Sequence, residues 1–356
     1  MKTKKERQSN IELLRCLLML MVVVLHYNNA EMGGGFAYAA GINYRVLQFL
    51  EAVSVCAVNC FILISAYFLS GTRQRSLKKP LGLIGMTIAY KVLCYIVSVR
   101  LGQSIFSARE LALCLIPNNW FVILFCVLYV ISPYINPLFD VLEKKELQKC
   151  IAVCLLLFSL YPTVVESASR IIWGTSGIAG IGTVTMNGSE SGYTIVNFVL
   201  LYLLGGYLRK YPPQSGKARY FGLYAAFTLC DFAMAWVTPT YTSYANIFVI
   251  GQAVMLFLAF LNWDLRSSRV INTVSRSAFG IYLLHTYSLF IVTFWGYFQI
   301  PASVSGTTGR MILRMGLAVL AMYLVCLLVD MLCRGIWGFF VRFIGKMIRR
   351  CCNKNI

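Results

Sequence analysis

The chain has 356 residues, of which 59% are hydrophobic and only 13% charged, against about a quarter charged in soluble domains. Apolar runs of about 20 residues, the length that crosses a hydrocarbon core, recur from end to end. This excludes a soluble globular enzyme and predicts an all-α polytopic membrane bundle. The formal net charge of +19 does not indicate a nucleic-acid partner, because its distribution follows a different rule. Of 32 Lys and Arg, the segments expected outside hold only Arg45, Arg100, Arg109, Arg170, Arg310 and Arg314. Arg15 and Lys91 lie within spans, and all the others fall in alternate loops and at the two termini. That is the positive-inside pattern, with both termini cytoplasmic.

The predicted spans are about ten: 11–29, 46–70, 81–99, 119–139, 150–165, 193–208, 220–237, 244–262, 277–298 and 311–333. Residues 1–345 read as one membrane domain without internal repeats, and 346–356 as a basic cytoplasmic tail. The first run, "NIELLRCLLMLMVVVLH", has no small-residue cleavage site and continues into a polar loop, so it is retained as a span. It carries Arg15 and His26, one of the chain's two histidines. Eleven residues advance a helix by about 20° beyond three full turns, so the two share a face about 16 Å apart along the axis. Glu12, three residues before Arg15, can pair with it.

Arginine suits phosphate through its planar fork, and histidine can take a proton from a hydroxyl or act as a nucleophile. A donor with a phosphate-rich head at the inner face and a reactive arm reaching mid-membrane meets both, and acyl-coenzyme A has that shape. The plainer alternative is an arginine snorkelling to the interface and a histidine bonded to a neighbouring helix.

Further along, Glu51 near the outer end of the second span could face an acceptor. Arg73, Arg75, Lys78 and Lys79 follow in an inner loop, either as a topology signal or as a cradle for phosphates. Lys91, Asp231 and Asp330 fall mid-span and are expected to form a structural Lys–Asp pair. Trp120 opens the fourth span at its outer end, as an interfacial anchor or as a stacking surface for a sugar ring. The outer segment 166–192, rich in Gly, Ser and Thr, is long enough to be functional, but its "GSESG" centres on Glu190 and holds no serine nucleophile. His285 lies at the depth band of His26 and could assist it. The cysteines lie mostly inside apolar runs without paired CxxC spacing, so no metal site is expected. The aromatic and basic tail is expected to lie on the inner surface, with Arg349 and Arg350 toward anionic lipid.

Four segments in order carry a resemblance. "NIELLRCLLMLMVVVLH" resembles the first helix of the acyltransferase-3 family, with Arg, ten residues, then His. "VNCFILISAYFLSG" (58–71) with the basic "RQRSLKK" is similar to its second-helix pattern, though Ala66 stands where Gly is usual, and Glu12 where Asp is usual. "NNWFVILFCVLYVISPYINPLF" (118–139) and "SRSAFGIYLLH" (275–285) are similar to two later helices. The resemblance implies an integral membrane O-acyltransferase in a bacterial cytoplasmic membrane. It would move an acyl group, expected to be acetyl, from acyl-coenzyme A to a hydroxyl of a surface carbohydrate or lipid-linked glycan. Catalysis is assigned to His26 with Glu12, donor binding to Arg15, Arg73, Arg75, Lys78 and Lys79, and acceptor binding to Trp120, Glu51 and His285. The competing reading is a secondary transporter built on Lys91, Asp231 and Asp330, or another envelope-polysaccharide membrane protein.

Overall fold

The computed structural model describes residues 7–72, 74–174 and 192–352, with side chains at all of these except 288 and 338–352. Among the described residues every regular element is helical. Helix α1 (Ser9–Asn28) forms the hub, with Glu12 in its first turn, where a carboxylate suits the positive end of the helix dipole. The short α2 (Gly35–Tyr38) turns the chain back into α3 (Gly41–Ser54), and α4 (Ala57–Leu69) continues it after a break at Val55 and Cys56. Helix α5 (Lys78–Arg100) leads to α6 (Ala108–Cys114), and α7 (Trp120–Ile135) starts where the Asn119 side chain accepts from the Val122 amide. After α8 (Pro137–Val141), α9 (Lys144–Leu155) opens with a Glu143–Glu146 capping box. It then passes through a π turn at Leu156–Leu160 into α10 (Tyr161–Trp173).

Thr194 caps α11 (Ile195–Lys210), which precedes α12 (Lys217–Met234) and the Asn246-capped α13 (Ile247–Leu261). The short α14 (Arg269–Val274) leads to α15 (Ala278–His285), α16 (Ser288–Phe290) and α17 (Ile300–Val304). The last helix, α18 (Thr308–Cys352), is 45 residues long. Around α1 pack α3, α4, α13, α14, α15 and α18, while α4 also lies against α11 and α13.

Among the described residues, seven helical stretches are long and apolar enough to cross a membrane: Ser9–Asn28, Gly41–Leu69, Lys78–Arg100, Trp120–Val141, Lys144–Trp173, Pro239–Leu261 and Thr308–Trp337. The three other predicted spans fall on α11, α12 and the interrupted stretch beginning at α15. Helix α11 has 16 residues and packs against α4, α7 and α9.

Segments expected on one side of the membrane bind one another. At one end, Ser9 Oγ donates to Asn272 Oδ1 (3.1 Å), Asn136 Nδ2 donates to the Thr72 carbonyl (2.8 Å), and Lys210 Nζ donates to that of Phe139. At the other, Gln48 donates to the Ala235 carbonyl (3.1 Å), Asn43 to that of Val304 (2.8 Å), and Gln103 to Thr293 Oγ1 (2.8 Å).

Three expectations need correction. The outer segment 166–192 is not loop throughout, because α10 carries the helix on to Trp173; residues 175–191 lie outside the described residues. The tail is not a helix of its own, since α18 runs unbroken from span to Cys352; the side chains of Arg349 and Arg350 lie outside the described residues. Nor do Lys91, Asp231 and Asp330 pair. Lys91 Nζ donates to the carbonyls of Leu113 (3.0 Å) and Ile116 (3.3 Å) and to Asn118 Oδ1 (3.2 Å), a cation at the carbonyl end of α6. Asp231 accepts from Asn246 (3.4 Å), and Asp330 takes Arg334, one turn on, at 2.7 Å together with the Tyr90 hydroxyl at 2.7 Å.

The Asp330 cluster fixes α15. A Cβ on Gly280 would lie 1.9 Å from Asp330 Oδ1, so α15 and α18 can approach this closely only through glycine. Gly280→Ala is expected to cost about 1–3 kcal/mol, the usual penalty of overpacking. Thermal unfolding in detergent checks this, and an unchanged midpoint would contradict the contact.

Candidate active site

A cavity of about 1150 Å³ runs beside α1, with Arg15, Met19, Val22 and His26 along its wall. It exceeds the roughly 300–1,000 Å³ of a typical small-molecule site, so it has room for more than one ligand. One end is basic, lined by Arg7, Arg15, Lys79 and Arg276. The other is lined by Glu31, Glu51, Trp120, Tyr193, Thr242 and Tyr244. The helical spacing read from the sequence therefore places Arg15 at the basic end and His26 about 16 Å along the same wall.

The basic end is organised by Glu12. Its buried carboxylate accepts from Arg15 Nη1 at 3.0 Å and from Arg7 Nη1 at 3.5 Å. Fourteen residues, about 21 Å of helix, separate it from His26. Glu12 therefore does not touch a group at His26; its ionic contacts in the structure are with the two arginines. Each arginine has five N–H donors and gives Glu12 only part of them, leaving donors for another anion.

The other cationic positions divide. Lys79 lines the cavity and feels the like charges of Arg15 and Arg75. Arg75 instead holds the helices together, donating to Ser132 Oγ (3.1 Å) and the Leu69 carbonyl (2.5 Å). Lys78 is not among the residues lining the cavity, and Arg73 lies outside the described residues. Arg276 was not singled out from the sequence, where it reads as one more inner-loop arginine. Its place in the cavity wall follows from the packing of α14 and α15 against α1.

Midway along the wall the chain's two histidines meet. His26 Nδ1 lies 2.6 Å from His285 Nε2, and His285 Nδ1 lies 2.6 Å from the Ile281 carbonyl of its own helix. A carbonyl can only accept, so His285 carries its hydrogen on Nδ1. In a neutral pair His285 Nε2 then has a free lone pair, and His26 must donate to it from Nδ1. This leaves the lone pair of His26 Nε2 for the cavity. His285 is fully buried while His26 is part-exposed in the cavity wall, so the first orients and the second is accessible. A histidine held in one tautomer by a buried acceptor is the arrangement of a general base.

The far end is built from Glu51 and an aromatic wall. Asn28, two residues beyond His26, donates to Glu51 Oε2 at 2.8 Å. Trp120 stacks on Tyr193 with centroids 4.3 Å apart and lies 6.0 Å from Tyr244. Asn59 (2.8 Å) and Asn197 (3.3 Å) both donate to the Tyr244 carbonyl, fixing the segment that carries this ring. Trp120 is thus part of a half-buried aromatic cluster in the cavity wall. Tyr282 also lines the cavity and ties it to α7 by donating to Asn119 Oδ1 (3.0 Å).

The family model Acyl_transf_3, described as an acyltransferase domain, matches residues 8–331. No curated protein and no solved structure matches the chain.

Proposed function

Since the chain belongs to the acyltransferase-3 family of membrane acyltransferases, we propose that it moves an acetyl or other short acyl group from cytoplasmic acyl-coenzyme A to a hydroxyl of a surface carbohydrate or lipid-linked glycan. The observation that carries this reading is the single cavity that joins a basic end, an oriented histidine and an aromatic, carboxylate-bearing end. The donor's phosphates lie against Arg7, Arg15, Lys79 and Arg276, where guanidinium forks give charge-assisted bonds. Its pantetheine arm follows the wall of α1 toward His26. The acceptor enters from the end of Glu51 and Trp120, and the basic loops face the cytoplasm of a bacterial cell in a ten-span arrangement.

In the transfer step, His26 Nε2 takes the proton of the acceptor hydroxyl as its oxygen attacks the thioester carbonyl. The new C–O bond forms, the C–S bond breaks, and the proton leaves with the thiolate sulfur. The imidazolium formed in between is stabilised through Nδ1–H by the buried His285, and that hydrogen bond strengthens as charge develops.

Arg15→Ala tests the donor half. Donor affinity should fall roughly 10- to 150-fold, the value of a charge-assisted hydrogen bond of about 1.5–3 kcal/mol, with the chemical step less affected. Arg15→Lys should restore only part of it, because a point charge cannot reproduce the bidentate fork. Calorimetric titration of purified protein with coenzyme A measures this, and unchanged affinity in Arg15→Ala would refute the donor assignment.

A further inference from the structure

A second, smaller cavity of about 260 Å³ adjoins the basic end and shares Arg7 with the main one. It is formed where the start of α1 meets the chain leaving α13, and its other walls include Trp263 and Asp264. We infer that this cavity receives the adenine of a nucleotide-bearing donor whose phosphates lie on Arg7 and Arg15, an inference that rests on the acyl-coenzyme A reading above.

Three observations converge on a base. First, Trp263 supplies an indole ring held in place by Phe221 and Phe260, with centroids 6.1 Å and 5.4 Å away. Indole and adenine offer matching π faces, and stacking of this kind is the general means of holding a nucleobase. Second, Asp264 is exposed beside it, and a carboxylate accepts hydrogens from the exocyclic amine of adenine. The nearby Ser9 and Asn10 side chains are already bonded, to Asn272 and to the carbonyls of Phe260 and Leu261, so they shape the cavity and do not compete for the ligand.

Third, the charge around this cavity suits a phosphorylated nucleotide. Arg7 lines both cavities, so an anion bound to it is shared between the two. Lys217 Nζ lies over one face of the Trp263 ring, 5.0 Å from its centroid, which adds a cation next to the cavity without lining it and leaves the ring's other face for the base. The arrangement runs base, phosphates, then arm: Trp263, then Arg7 and Arg15, then the wall of α1 toward His26.

The test is equilibrium binding to the purified full chain with three probes: coenzyme A, adenosine 3′,5′-bisphosphate and 4′-phosphopantetheine. Trp263→Ala should weaken coenzyme A and the bisphosphate by about 5- to 150-fold, the range of one base–aromatic stack, and leave 4′-phosphopantetheine unchanged. Trp263→Phe should keep most of the affinity. Asp264→Ala, at an exposed position, should give the same ranking of probes if the tryptophan variant does not fold. Unchanged coenzyme A affinity in the folded alanine variants overturns the inference, and so does equal loss for all three probes, or a wild type that binds neither adenine compound. A wild type that binds the bisphosphate through Trp263 but transfers no acyl group upholds the pocket and refutes the acyl-transfer reading. Transfer from acyl-coenzyme A indifferent to Trp263 does the reverse.

Discussion

His26→Ala should bind coenzyme A as tightly as the wild type and transfer acyl groups about 10²–10⁴-fold more slowly, the range lost when a general base is removed. The expectation follows from position. His26 is in the cavity wall, its Nδ1 is engaged by His285, and Nε2 is the nitrogen left for a substrate. Arg15, the proposed phosphate ligand on α1, sits about three turns before His26, so its contacts survive the substitution. A purely structural histidine predicts the opposite pattern, with reduced thermal stability and full turnover in whatever protein folds. Near-normal transfer by His26→Ala would refute the mechanism.

His285→Leu should fail almost as badly, with the loss in turnover and not in donor KM. Without an acceptor at Nε2, nothing holds the hydrogen of His26 on Nδ1, and the ring is free to adopt the wrong tautomer or rotate. Loss of the group that fixes a catalytic histidine's tautomer costs up to about 10⁴-fold in serine proteases. His285→Gln is the informative companion, since its amide oxygen can accept from His26 Nδ1–H at a similar reach. It should recover a measurable part of the activity, while a merely packing role would make leucine at least as good as glutamine. Equal turnover for the two variants, both folded, would remove His285 from the mechanism.

Much of this arrangement is legible in the sequence. Helical periodicity alone places Arg15, His26 and Glu12 on one helix, and the Glu12–Arg15 bond at 3.0 Å is the expected local pair. The shared depth of His26 and His285 was also readable, but their contact was not, because it depends on how closely α15 approaches α1. That approach involves Gly280 and the Asp330–Arg334–Tyr90 cluster, which comes from three separate helical positions. The same blindness explains the failed Lys–Asp pair. Charge complementarity across spans predicts that pair, but the partner of Asp330 lies one turn away in its own helix, and Lys91 bonds carbonyl groups at the end of α6, a segment without a span-like signal. Among the inner-loop cations, a run of like residues carries no sign of which will face a cavity. Packing sends Lys79 into it and commits Arg75 to Ser132 and Leu69.

The central claim is that donor and acceptor reach His26 from opposite ends of one cavity and opposite faces of the membrane. Proteoliposomes of known orientation test it most directly, with acyl-labelled coenzyme A confined to the side of Arg7 and Arg276 and glycan-bearing lipid from the producing cells presented on the other. Label should then appear in glycan exposed on the far side, in an amount that falls with His26→Ala. Transfer that occurs only when donor and acceptor share one side of the membrane would contradict the account.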